Sequence, residues 1–262
     1  NNTARDKLKS VIASMVQTQT ITHPFLGHPP GLSTLFFTEM WERMSYYGMR
    51  GILVLFMTAS INNGGLDFSN ASASAIYGIY AAAVYLMALP GGWLADNIFG
   101  QQKTILFGGI VIMFGHLSLA IPNMTFFYLG LILVVMGTGL LKPNISAIVG
   151  GLYEKNPSMK ESGFTIFYMS INIGSILGFF VCGYLGENIG WHYGFGAAGI
   201  GMLLGVLQYK FNLNSLGDVG LKPTNLINEE TKNNYKKITL VIFLLILIII
   251  FSGLSGLWTL NP

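Results

Sequence analysis

Glu39, Glu42, Arg43 and Arg50 fall within residues 32–57, a stretch that is otherwise largely apolar. Carboxylates beside guanidinium groups can exchange protons for ion pairs, and they can do so repeatedly. At about 100° per residue along a helix, with Glu39 as origin, Glu42 lies near about −60° and Arg43 near about +40°. Tyr46 then lies near about −20°, Tyr47 near about +80° and Arg50 near about +20°. The six share about 140° of arc, so a helix here carries one polar stripe. Lys142 occupies a second apolar stretch, 126–150, and is followed by the helix-breaking Pro143. Tyr85 lies in the stretch 73–95, and Tyr168 and Asn172 in 163–185. Three bases against two acids leave a formal excess of one positive charge, which suits an anionic group on a small ligand. Desolvation favours a neutral carboxyl and a neighbouring cation favours the carboxylate, so breaking and remaking such pairs can load and unload a proton.

The elements that hold these residues are read from composition. Hydrophobic residues make up 52% and charged residues 10%, against roughly 25% charged in ordinary globular chains. Seven stretches, near 32–57, 73–95, 104–121, 126–150, 163–185, 193–211 and 238–257, approach the length needed to cross a bilayer, about 20 residues. A backbone in lipid must satisfy its own hydrogen bonds, which predicts helices, and the alternating segments of a membrane barrel do not occur. The fold class expected is therefore all-α membrane protein. A charge in mid-membrane costs roughly 2.5–3.5 kcal/mol on insertion scales, so four in one span imply mutual pairing or a wet cavity.

Charge distribution orients the spans. Arg5, Lys7, Lys9, Lys103, Lys155, Lys160, Lys210, Lys222, Lys232, Lys236 and Lys237 would all lie on one side, and that side is predicted to be the cytoplasm by the positive-inside rule. The expected organisation is a cytoplasmic tail over 1–30, a six-helix bundle over 31–211, a cytoplasmic linker over 212–237 and one further transmembrane helix within 238–262. The tail carries no apolar core with a cleavage site, so no signal peptide is expected and the first span acts as its own insertion signal. The lone Cys182 can form no internal disulfide, and no His, Cys, Asp or Glu spacing suits a metal. No nucleophile constellation appears either, so the chain does not read as an enzyme. No cofactor and no nucleic-acid partner are expected.

The pattern of Glu39, Glu42, Arg43, Ser45, Tyr46, Tyr47 and Gly48 resembles the E-x-x-E-R signature of the proton-dependent oligopeptide transporters, a family within the major facilitator superfamily. Met44 stands where that family usually has an aromatic residue. Two further runs resemble its signatures: Gly91, Gly92, Trp93, Leu94, Ala95 and Asp96 with Gly100 and Lys103, and Phe167 through Ser175 around Tyr168 and Asn172. The resemblance implies a six-helix N-terminal bundle whose partner is a C-terminal bundle of the same transporter, with the two halves alternating around a central site. It implies symport of di- and tripeptides with protons as the coupling ion, in a multi-pass protein of the cell membrane. Glu39, Glu42, Arg43 and Lys142 would couple the proton. Arg43, Tyr46, Tyr47, Arg50, Tyr85, Lys142 and Asn172 would bind substrate, with Arg50 facing the peptide carboxylate.

Asp96 resembles the acid of a superfamily loop motif that clasps neighbouring helix ends, a structural or gating role, although Gln101 and Gln102 replace the motif's usual basic residues. Gly78 stands where some members carry histidine, and His116 is expected to serve packing. A same-fold carrier of nitrate or another small anion would also suit the cationic excess, and a structural membrane protein without transport would leave the intramembrane charges unexplained.

Overall fold

Proline sets the start of the first helix. Pro30 occupies its first position, where the missing N–H costs no hydrogen bond, and the helix runs without a break to Thr58. In this computed structural model the described residues are 25–225, with Thr231, Asn234 and Lys237 beyond them. The seventh apolar stretch, 238–257, and the tail up to residue 24 lie outside the described residues.

Six long helical rods follow one another: α1 (Pro30–Thr58), α2 (Asn70–Leu94), α3 (Gln101–Leu119), α4 (Met124–Gly151), α5 (Lys160–Gly178) with its short continuation α6 (Tyr184–Asn188), and α7 (Trp191–Phe211). Ser69 and Asn123 cap α2 and α4 by accepting from the backbone N–H of Ser72 and Thr125. Two π-helical turns lengthen the rods, Ala95–Phe99 after α2 and Phe179–Gly183 between α5 and α6. Among the described residues, four helices are long and apolar enough to cross a membrane: Asn70–Phe99, Gln101–Leu119, Met124–Gly151 and Pro157–Asn188. The rod α1 is of comparable length but carries the four charges in its middle, and α7 is diluted by Trp191, His192, Tyr193 and Gln208.

The chain packs α1 between α5 and α7, α3 between α4 and α7, and α2 chiefly on α4. Glycine permits the closest approaches. A methyl group on Gly174 would strike the Met40 carbonyl and Arg43 of α1, and one on Gly91 would strike the Gly139 carbonyl of α4. That last contact explains an outcome at Pro143. The proline does not break α4, which continues through it to Gly151. Its missing N–H leaves the Gly139 carbonyl without its helical partner, and Gly91 of α2 packs against that carbonyl. One residue on, Asn144 donates to both Leu140 O (2.6 Å) and Gly91 O (3.3 Å).

Two apolar cores divide the bundle. One gathers Met49, Leu53, Phe56, Phe127 and Phe195; the other gathers Leu32, Leu35, Ile145, Tyr153 and Tyr209. The first turn of charges on α1 lies between them. After α7 the chain turns back over the helix ends. Ser215 hydrogen-bonds Thr34 (2.6 Å), Gln102 donates to Gly217 O (2.9 Å) and Val219 O (2.8 Å), and the Asn225 N–H donates to Asp96 O (2.9 Å).

Candidate functional site

Glu39 and Glu42 are both 0% exposed, although they are the two acids of α1. Such groups must be paired, and they are. Arg43 grips Glu42 with Nε on one carboxylate oxygen and Nη2 on the other, a forked arrangement. The same Nε lies 3.4 Å from Glu39 Oε1, one helical turn away. That oxygen also accepts from Lys142 Nζ, which reaches across from α4. The helix period put Glu39, Glu42 and Arg43 on one stripe; the cross-link to Lys142 is added by the packing of α4 beside α1. The remaining Glu39 oxygen, Oε2, has no hydrogen-bond partner among the described residues, and neither do Thr138 Oγ1 and Tyr80 OH nearby in the bundle interior.

The cluster opens at two points. The Lys142 side chain is 34% exposed, while the acids behind it are sealed. Along α1, the Arg43 guanidinium lies over the rings of Tyr46 (4.7 Å) and Tyr47 (5.7 Å), and these two rings meet edge to face. Tyr47 in turn meets Phe179 in the π-helical turn after α5, centroids 6.1 Å apart. Beyond them Arg50 is exposed and lies over the ring of Tyr77 on α2 at 5.5 Å. It forms no ion pair among the described residues. Tyr47, Arg50, Gly51, Val54, Tyr77 and Phe179 line an open pocket of about 370 Å³.

The arrangement thus holds a sealed acid–base cluster and, two turns away on the same helix, a guanidinium with no ion-pair partner among the described residues at the edge of a pocket. Tyr77 and Phe179, which line the pocket, carry no distinguishing signal in the sequence, because a tyrosine or phenylalanine in an apolar stretch reads as core. Other expected residues stay apart from the cluster. Tyr85 is 78% exposed on α2, and Asn172 is exposed on α5, where its backbone carbonyl accepts from Ser175. Asp96 sits in the π-helical turn after α2, touched through its backbone carbonyl by Asn225, and its carboxylate forms no ion pair among the described residues. Gly78 faces open space. His116 is fully buried in α3, with neither ring nitrogen hydrogen-bonded among the described residues.

A bundle of long apolar helices with a sealed ion cluster beside an open cationic pocket is the architecture of a multi-pass membrane protein. Residues 102–226 match the model of the POT family. The chain is 46% identical over 238 residues to the uncharacterized transporter YclF of Bacillus subtilis (strain 168), covering 90% of this chain and 48% of that one. It is 44% identical over 231 residues to a di-/tripeptide transporter of Lactococcus lactis subsp. cremoris, covering 87% of this chain and 46% of the relative. Its fold matches a crystal structure of the peptide transporter POT in complex with sulfate, with a TM-score of 0.84 and 42% identity, over 90% of this chain and 48% of that one. The chain is similar to members of the POT family and spans about half the length of these relatives.

Proposed function

We propose that the chain is the N-terminal bundle of a proton-coupled symporter of di- and tripeptides that works by alternating access with a C-terminal bundle. The observation that carries this reading is the sealed pairing of Glu39 and Glu42 with Arg43 and Lys142 beside the open pocket at Arg50. A proton arriving at Glu42 neutralises it and frees Arg43, whose guanidinium can then donate to a carbonyl oxygen of the substrate. Lys142 and Glu39 form the second exchangeable pair. Loss of the proton restores the pairs and withdraws Arg43 from the substrate.

Arg50 receives the peptide carboxylate, and Tyr46 and Tyr47 shape the pocket floor. Tyr85 and Asn172 contact the far side of the substrate once the second bundle closes the cavity. A di- or tripeptide spans at most about 7–11 Å when extended, so its amino end reaches toward that bundle. Asp96 acts at the gate, on the side where the basic loops place the cytoplasm. Protons replace any other cofactor, and no covalent chemistry is involved. The membrane potential contributes about 2.3 kcal/mol per charge per 100 mV, and each unit of pH difference about 1.4 kcal/mol, enough for uphill uptake.

The test is uptake of a labelled dipeptide by the full-length transporter in liposomes, with and without an inward proton gradient. Accumulation above the outside concentration only with the gradient is the expected result. Uptake of nitrate that dipeptides fail to inhibit would replace the peptide by a small anion.

A further inference from the structure

Gln102, the second residue of α3, is 6% exposed. Its side-chain nitrogen donates to Gly217 O (2.9 Å) and Val219 O (2.8 Å), and its backbone N–H donates to Gly220 O (3.0 Å). Its carbonyl accepts from the Tyr209 hydroxyl of α7 (3.1 Å). Two carbonyl acceptors require the amide nitrogen on that side, since the amide oxygen cannot donate. Gly100, the N-cap of α3, has no side chain to satisfy the first helical N–H groups, and the Gly220 carbonyl takes one of them instead. Gly100 also leaves room for the crossing chain: a methyl group there would lie 2.6 Å from Leu221 O. Leu216 is buried in the core below, and the Val219 side chain lies against Gly151 of α4. At the far end, Asn225 donates from its backbone to Asp96 O (2.9 Å) and from its side chain to Asn97 Oδ1 (3.1 Å). The chain over 212–225 is thus a strap bound to both sides of the turn between α2 and α3. Asp96 is held there by its backbone, while its carboxylate forms no ion pair among the described residues.

We infer that Gln102 is a positioning residue for the gate: it fastens the strap to the α2–α3 turn, so that strap and turn move as one body. The inference rests on the transport reading above, with Asp96 at the gate. Because the chain is continuous, a displacement carried along it from residue 226 onward reaches Asp96 through Asn225. Without the two side-chain bonds of Gln102, the stretch between Leu216 and Asn225 can slacken and absorb that displacement first. The position needs donors rather than charge. Lysine can still donate to the strap carbonyls, whereas an ionised glutamate of the same size as glutamine offers acceptors alone.

The experiment compares wild type, Gln102→Glu and Gln102→Lys in the full-length transporter in liposomes. Amide hydrogen exchange over 217–225 reads the strap, and labelled-dipeptide uptake reads the gate. In wild type these amides should exchange at least about tenfold more slowly than unstructured chain, both at rest and during proton-driven turnover. Gln102→Glu should speed their exchange about tenfold, for one to two lost hydrogen bonds. The maximal rate of dipeptide uptake should fall about three- to tenfold by the same conversion, with dipeptide affinity unchanged. Gln102→Lys should restore both the protection and the rate. Free exchange of 217–225 in wild type, at rest or in turnover, overturns the inference without recourse to any variant. So does a Gln102→Glu protein whose strap exchanges faster while its uptake rate holds, or a Gln102→Lys protein that behaves like Gln102→Glu. Absence of dipeptide uptake in wild type sinks the peptide reading instead, and the exchange measurements still decide whether strap and turn form one body.

Discussion

Lys142 donates to Glu39 across 103 residues of sequence, from the middle of α4 to the middle of α1. The same carboxylate oxygen lies 3.4 Å from Arg43 Nε, so one acid oxygen is shared by two bases on two helices. Arg43 is also committed to Glu42 by two hydrogen bonds. A change in the charge of either acid must therefore be felt by both helices.

The unequal burial of the two bases sets an order of stability. Arg43→Ala strands the sealed Glu42, whose only base it is among the described residues, and should cost about 3–5 kcal/mol. Lys142→Ala removes a base whose side chain is 34% exposed, so solvent screening should hold its cost to about 1–2 kcal/mol. Thermal unfolding of the purified full-length transporter should rank Arg43→Ala well below Lys142→Ala, and the reverse order would contradict this wiring.

Glu42→Gln keeps the shape of the side chain and removes its proton cycle. Proton-driven accumulation should vanish, while peptide exchange between equal concentrations on the two sides should survive in larger part. Parallel measurements in the same liposomes read both. Equal loss of both activities points to a folding or binding defect rather than uncoupling.

Arg50 stands over Tyr77 without an acidic partner among the described residues. Arg50→Lys keeps the charge and loses the planar fork, so the affinity for a free-acid dipeptide should fall, by about tenfold for one lost charge-assisted hydrogen bond. Amidating the peptide's C-terminus should erase most of the difference between wild type and variant. Equal binding of free acids and amides by wild type would exclude Arg50 as the carboxylate site.

Two glycines of α2 should respond in opposite directions. Gly78 faces open space, so Gly78→Ala should stabilise by about 0.5–1 kcal/mol through helix propensity. Gly91 meets the backbone carbonyl of Gly139, which cannot swing aside, so Gly91→Ala should destabilise by about 1–3 kcal/mol. Thermal shifts of opposite sign in the two variants are the expected readout.

Much of this was legible in the chain alone. Apolar length and the cost of an unsatisfied backbone in lipid dictate helices, and the 3.6-residue period puts Glu39, Glu42, Arg43, Tyr46 and Arg50 on one stripe of α1. The price of burying charge makes pairing obligatory, so partners for both acids could be expected before any was seen. Which base meets which oxygen was not legible, because that depends on the axial register of α4 against α1. Local sequence carries no record of that register; it arises where Gly91 and Gly139, or Gly174 and Met40, let backbones touch. Pro143 shows the same limit. Read locally it ends a helix, yet packing against α2 and the hydrogen bonds of Asn144 carry α4 through it. Tyr77 and Tyr80 look like any aromatic residues of an apolar stretch, and only the tertiary structure sets one beside Arg50 and buries the other's hydroxyl without a partner among the described residues.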